Sequence, residues 1–141
     1  MNTNFFPTPA RWMLVDDSED ILLMLSAMLA TITDAEIECH NTPQSALAAF
    51  AAAPENYELV ITDFEMPGMD GVELCRWLHM ISPAQKIFLA TGSGFFTAAT
   101  ARHAGFSALL NKPFPLAVLK AALAENFLIG AEKYSSELIA A

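Results

Sequence analysis

Asp63 closes the apolar run Leu59-Val60-Ile61-Thr62 and stands just ahead of Phe64-Glu65-Met66-Pro67-Gly68. Three other short apolar runs end on groups that could do chemistry. Arg11–Val15 ends on Asp16-Asp17, Lys86–Ala90 on Thr91, and Ser107–Leu110 on Asn111-Lys112. Parallel α/β sheets bind their ligands outside the carboxyl ends of the strands. If these runs are strands of one such sheet, three carboxylates, a hydroxyl and an ammonium converge on a single edge. Carboxylates that close repel, and unaided at least one would keep its proton. A divalent cation relieves the repulsion. Mg²⁺ suits an oxygen-only set that leaves room for water and phosphate. No histidine or thiolate joins the set, so zinc and copper do not fit. Beside a metal, a lysine and a threonine, Asp63 is placed to act as a nucleophile toward a phosphoryl group. The metal would neutralise the developing charge, and Lys112 would set a point charge on a phosphate oxygen. Thr91 would donate a hydrogen bond made only after phosphorylation, and an interaction present in one state alone biases a two-state element.

The elements that must position these groups follow from the pattern. Residues 1–10 hold Phe5, Phe6, Pro7 and Pro9 and read as an extended N-terminal arm. Arg11–Val15 is the first strand, and Ser18 is the N-cap of a helix carrying Ile21, Leu25, Met28, Leu29 and Ile32. Ala35–Cys39 is the second strand. Thr42-Pro43 opens a helix, with Pro at its first position, that buries Ala46, Leu47 and Phe50 and stops at Pro54. Glu58–Thr62 is the third strand, apolar on both faces, followed by a loop to Gly71 and a helix over Val72–Met80. Lys86–Ala90 is the fourth strand, Phe96–Ala104 a weak helix closed by Gly105, Ser107–Leu110 the fifth strand, and Leu116–Phe127 the last helix. Alternating strand-helix units with right-handed crossovers give a parallel sheet covered on both faces. Residues 128–141 form a C-terminal extension, with Tyr134, Leu138 and Ile139 at helical spacing. They are read as a short helix packing on the domain or on a second copy.

Composition sets the outer bounds. A chain of 141 residues is one domain by length, and 54% hydrophobic against 16% charged residues excludes disorder. The mean hydropathy of +0.37 raises the question of a membrane. No 18-residue apolar span exists, nor a basic segment with a cleavable apolar core, so a soluble cytoplasmic protein is expected. A net charge of -9 with scattered basic residues argues against nucleic acid as a direct partner.

With these elements in place, the chain from about Arg11 to Phe127 resembles the response-regulator receiver family. The likeness rests on Val15-Asp16-Asp17, on Asp63-Phe64-Glu65-Met66-Pro67-Gly68-Met69-Asp70-Gly71, on Ala90-Thr91-Gly92 and on Lys112-Pro113-Phe114. The resemblance implies a (βα)5 doubly wound, flavodoxin-like sheet of strand order 2-1-3-4-5. It implies Asp63 as phospho-acceptor, and Asp16 and Asp17 as the acidic pair that holds Mg²⁺ with Asp63 and the backbone carbonyl of Glu65. It further implies Thr91 as switch hydroxyl, Lys112 as phosphate-binding lysine, a cis Lys112-Pro113 bond, and a phosphohistidine donor on a histidine kinase or phosphotransfer protein. The chain departs from the family in two places. Many receivers carry an inward-turning Tyr or Phe three positions before the lysine, where this chain has Leu109; Phe95, Phe96 and Phe106 are the aromatics left to substitute. Glu65, two residues after Asp63, would lean over the phosphoryl site.

The leading expectation is a stand-alone phosphorylation switch, not a conventional enzyme. It would act on an unidentified protein partner through a surface around Phe96 to Lys120. A phosphate sink or relay intermediate is the main alternative, mildly favoured by Leu109. A dimerising scaffold is a second, since the arm, the tail and the apolar content favour some self-association. A hydrolase would need a general acid and a cap, and neither is visible. Cys39 and Cys75 read as reduced core thiols, Trp12 and Trp77 as core or boundary aromatics, and the methionines as core fillers. His40, His79 and His103 have no acidic or cysteine partner at ligand spacing and read as surface or amphipathic positions.

Overall fold

The computed structural model describes residues 10–127. The strands are β1 (Arg11–Val15), β2 (Glu36–His40), β3 (Tyr57–Thr62), β4 (Lys86–Thr91) and β5 (Ala108–Asn111). The helices are α1 (Glu19–Ala30), α2 (Pro43–Ala52), α3 (Gly71–Ile81), α4 (Ala98–His103) and α5 (Leu116–Asn126), with one 3-10 turn at Pro54–Asn56. All strand pairs are parallel, in the order β2-β1-β3-β4-β5. The alternation predicted a parallel sheet covered on both faces, and the observed order is the one the receiver resemblance implied.

Alternate residues of the central strands feed two separate cores. Met13, Val15, Val60, Ile87 and Leu89 join Ala46, Phe50, Leu74, Cys75, Leu78 and Ala101 of α2, α3 and α4. Trp12, Leu14, Leu59, Ile61, Phe88 and Ala90 join Leu22, Leu25, Leu29, Leu119 and Leu123 of α1 and α5. Both faces of the strands are therefore covered, which is why their sequences are apolar without alternation. Trp12 also stacks on Phe127, with ring centroids 6.3 Å apart.

Local chemistry sets where the helices begin. The hydroxyls of Ser18 and Thr42 accept from the amides of Ile21 (3.3 Å) and Ser45 (3.1 Å), and the Asp70 carboxylate accepts from Glu73 (2.9 Å). Thr97 and Thr100 form a reciprocal capping box, so α4 begins at Ala98. Phe96 is thereby left in the loop, and α4 is shorter than the Phe96–Ala104 helix expected.

Three other expectations are corrected. Cys39 is exposed, because β2 is an edge strand and Ser26 of α1, not an apolar side chain, stands against its sulfur at 3.1 Å. Trp77 is 48% exposed, because the buried stripe of α3 is Gly71, Leu74, Cys75 and Leu78 and Trp77 falls off it. Two histidines do have partners. His40 Nε2 lies 2.7 Å from Glu38 Oε2, and its Nδ1 lies 2.8 Å from Ser45 Oγ. Glu38 also accepts from Tyr57 Oη (2.7 Å) and Arg11 (3.3 Å). Burial raises the Glu38 pKa, but these donors outweigh it and hold the carboxyl below its ordinary value. His79 Nδ1 lies 3.7 Å from Cys75 Sγ and its Nε2 2.9 Å from the Gln85 carbonyl. Burial pushes the Cys75 thiol up to about 11, consistent with an inert core sulfur. The expected arm and C-terminal helix lie outside the described residues, apart from Ala10. Among the described residues no helix is long and apolar enough to cross a membrane.

Candidate functional site

The parallel ladders bring the expected groups to one edge. Asp63 continues the β1–β3 pairing by one step, its amide donating to the Val15 carbonyl at 2.9 Å. Asp16 does the same toward β2, donating to the His40 carbonyl at 3.1 Å. Lys112 extends the β4–β5 pairing, its amide donating to the Thr91 carbonyl at 3.0 Å. Three inter-strand bonds thus set the backbones of the reactive residues before any side chain is considered.

The side chains converge. One carboxylate oxygen from each of Asp16, Asp17 and Asp63 lies within 4.8 Å of the others. Asp16 is buried and fully engaged: its Oδ1 accepts from the Ser18 amide at 2.9 Å and its Oδ2 from Lys112 Nζ at 2.6 Å. Lys112 Nζ also stands 3.4 Å from Asp63 Oδ1, an ion-pair distance, while the Phe64 amide donates to that oxygen at 2.8 Å. Burial is the main influence on Asp63 and raises its pKa; Lys112 pulls it down and Asp16 pushes it up, leaving it above the ordinary value. Thr91 is buried, and its Oγ1 accepts from the Ser93 amide at 3.2 Å. The Lys112-Pro113 bond is cis, as the resemblance implied.

Three carboxylates face one ammonium here, so the set carries excess negative charge. Its donors are all hard oxygens and Asp17 is exposed to solvent. That combination fits Mg²⁺, which keeps part of its water shell. Glu65 borders the site. Its carboxylate is outside the three-carboxylate group, and it is an exposed wall of an open cleft shared with Asp17, Phe64, Met66, Pro67 and Asp70.

Two supporting features become visible only in the fold. Gly71 donates its amide to the Phe64 carbonyl at 2.8 Å, and a Cβ there would strike the Asp63 carbonyl oxygen. Gly71→Ala must therefore push the Asp63 loop outward. It is expected to cost about 1–3 kcal/mol in urea unfolding and to weaken Mg²⁺ binding, while an unchanged stability would show that the loop gives way freely. The second feature is an aromatic cluster. The Phe64 ring stacks on Phe95 at 5.9 Å and meets Phe96 edge-on at 4.9 Å. The signal was present in the sequence as an aromatic directly after Asp63 and two more shortly after Thr91, but only the fold shows that they touch.

Comparison with known proteins agrees with this geometry. The family model "Response regulator receiver domain" matches residues 13–124. The chain belongs to that family. The receiver-domain likeness extends to the transcriptional regulatory protein FixJ of Rhizobium meliloti, 35% identical over 123 residues, covering 84% of this chain and 58% of that protein. The two-component response regulator ARR2 of Arabidopsis thaliana is 36% identical over 73 residues, 52% of this chain and 11% of its own length. The chain thus spans less than two thirds of both relatives. A receiver domain protein from Clostridium thermocellum superposes with a TM-score of 0.77 at 25% identity, covering 89% of this chain and 98% of that one. The chain is therefore a receiver domain of two-component signalling, with an acidic cluster that fits Mg²⁺ binding and aspartyl phosphorylation.

Proposed function

We propose that this receiver accepts a phosphoryl group on Asp63 from a phosphohistidine of a histidine kinase or phosphotransfer protein, and that the modification switches a protein-binding surface. The observation that carries the reading is the gathering of Asp16, Asp17 and Lys112 around Asp63 at the end of β3. Asp16, Asp17 and Asp63, with the Glu65 carbonyl, would hold Mg²⁺, which when bound neutralises charge on the phosphoryl oxygens. An Asp63 carboxylate oxygen forms the new P–O bond as the P–N bond of the donor breaks. The leaving imidazole keeps the electron pair and takes up a proton from solvent. Lys112 moves from carboxylate neighbour to phosphoryl counter-charge, and Thr91 donates its hydroxyl to a phosphoryl oxygen. The reading is of a phospho-acceptor and not of a conventional hydrolase, and it is supported by the Asp16, Asp17 and Lys112 set around Asp63. A cytoplasmic location goes with it. Neither the sink nor the scaffold reading gains an observation of its own.

Borohydride reduction of the acyl phosphate after incubation with a small phosphodonor, followed by peptide mapping, tests the assignment. The reading requires homoserine at position 63 alone; reduction at another carboxylate would overturn it. Glu65 is proposed to set the lifetime of the phosphoryl group, by repelling the donor or by orienting water in the cleft. Glu65→Ala is then expected to change the phosphorylation or dephosphorylation rate severalfold, and two unchanged rates would remove it from the mechanism.

A further inference from the structure

We propose that Phe64, Phe95 and Phe96 form the switch of this receiver, carrying a change at Asp63 and Thr91 to the start of α4. The proposal rests on the reading of Asp63 as phospho-acceptor. The need for it is visible in the core. Leu109 is aliphatic, and Phe106 is already packed at 2% exposure in the core that α2, α3 and α4 cover. Neither is an aromatic free to turn.

The cluster closes a circuit of contacts around the acceptor. The Phe64 amide donates to Asp63 Oδ1 at 2.8 Å. The Phe64 ring lies nearly parallel to Phe95, at 17°, and edge-on to Phe96, at 80°. Phe95 and Phe96 meet edge-on at 5.6 Å. The Phe95 amide donates to Ser93 Oγ at 3.2 Å, and the Ser93 amide donates to Thr91 Oγ1 at 3.2 Å. Acceptor and hydroxyl are therefore joined through Phe64, Phe95 and Ser93.

Both ends of the circuit change in one event. A phosphoryl group on Asp63 converts the carboxylate to an acyl phosphate, whose oxygens accept more weakly from the Phe64 amide. In the proposed switch, Thr91 turns its hydroxyl toward a phosphoryl oxygen, and that rotation draws Oγ1 away from the Ser93 amide, which donates to it at 3.2 Å. Ser93 then loses one anchor, and with it goes the Ser93 hydroxyl that accepts from the Phe95 amide. Phe95 is 75% exposed, so ring contacts and that single bond hold it. Phe96 runs into Thr97, the N-cap of α4. That helix has six residues and buries only Ala101, so little resists its displacement.

The test uses the isotope-labelled full chain with Mg²⁺ and beryllium fluoride, a phosphoryl mimic. Fluorine NMR of bound fluoride reports occupancy of Asp63 independently of any movement. In the wild type, the amide signals of Ser93, Phe95 and Ala98–His103 should shift once the adduct forms. Phe95→Ala and Phe64→Leu should keep the fluoride signal while the α4 shifts fall about fivefold, in line with the loss of an aromatic pair. Phe95→Tyr keeps the ring and should keep the shifts. The proposal is overturned if α4 moves as far in Phe95→Ala as in the wild type, or if it does not move in the wild type with the adduct present. Absence of a bound-fluoride signal in the wild type would instead overturn the Asp63 reading, and the switch with it.

Discussion

Asp63→Asn is expected to abolish phosphoryl acceptance and, in Mg²⁺-free buffer at neutral pH, to raise the melting temperature by a few degrees. The two halves have one cause. Asp63 is a half-buried carboxylate placed beside Asp16, with Lys112 nearer to Asp16 than to itself. Burial and the Asp16 charge hold its pKa above the ordinary 3.8, so the fold disfavours the ionised form that the chemistry needs. Linkage sets the sign. Between the ordinary and the raised value the folded protein binds more protons than the unfolded chain, so stability from this group falls as pH rises through that window. Below 3.8 both states are protonated at this group and the full contribution is present; above the raised value it is gone. The neutral amide of the variant removes this slope. Thermal melts of wild type and Asp63→Asn between pH 3 and pH 7 without Mg²⁺ check it. Equal slopes, or a less stable variant at neutral pH, would show that the site does not strain Asp63. Mg²⁺ should reverse the order, stabilising the wild type more than the variant, because the ion restores the ionised carboxylate.

Lys112→Met is the most destabilising single change expected at the site. Asp16 has only 4% of its side chain exposed, and Lys112 Nζ at 2.6 Å is its cation. Removing one partner of a buried pair leaves an uncompensated charge. With Lys112 itself 17% exposed, the cost should be about 2–3 kcal/mol, below the range for a wholly buried pair. Methionine keeps the length and the apolar stem, so lost packing contributes little. Phosphoryl acceptance should slow by about tenfold to a hundredfold, since a charge aimed at the transferring group is missing in the transition state. Saturating Mg²⁺ should recover part of the stability and little of the rate. Urea unfolding and acceptance kinetics, each with and without Mg²⁺, separate the two losses; an unchanged urea midpoint would mean that the Asp16–Lys112 pair carries no net stability.

What was legible beforehand was whatever is encoded within a few residues. Ser18, Thr42 and Asp16-Asp17 announce helix starts and strand ends by their own chemistry. The strand ends then align because crossover geometry leaves few alternatives. What was not legible depends on partners far away in the chain. Cys39 reads as core in an alternating strand, yet its exposure follows from β2 lying at the sheet edge with Ser26 over it. His40 sits two residues from Glu38, but that pair acquires meaning only when Tyr57 and Arg11 arrive from β3 and β1. Trp77 needed the stripe of α3 to be resolved to a single residue. Glu65 is two residues from Asp63 in sequence, but that it shares a cleft with Asp17 and Asp70 is visible only in the folded loop. The Phe64–Phe95–Phe96 cluster joins two loops that no local pattern connects.

The central claim is that Asp63 takes up one phosphoryl group in a reaction that requires Mg²⁺. Intact-mass spectrometry after incubation with a small phosphodonor, run with Mg²⁺ and with a chelator beside Asp63→Asn, measures it directly. The account predicts a single phosphoryl adduct on the wild type with Mg²⁺, none with the chelator and none on the variant. An adduct that persists in Asp63→Asn, or one that forms equally well without Mg²⁺, would contradict it.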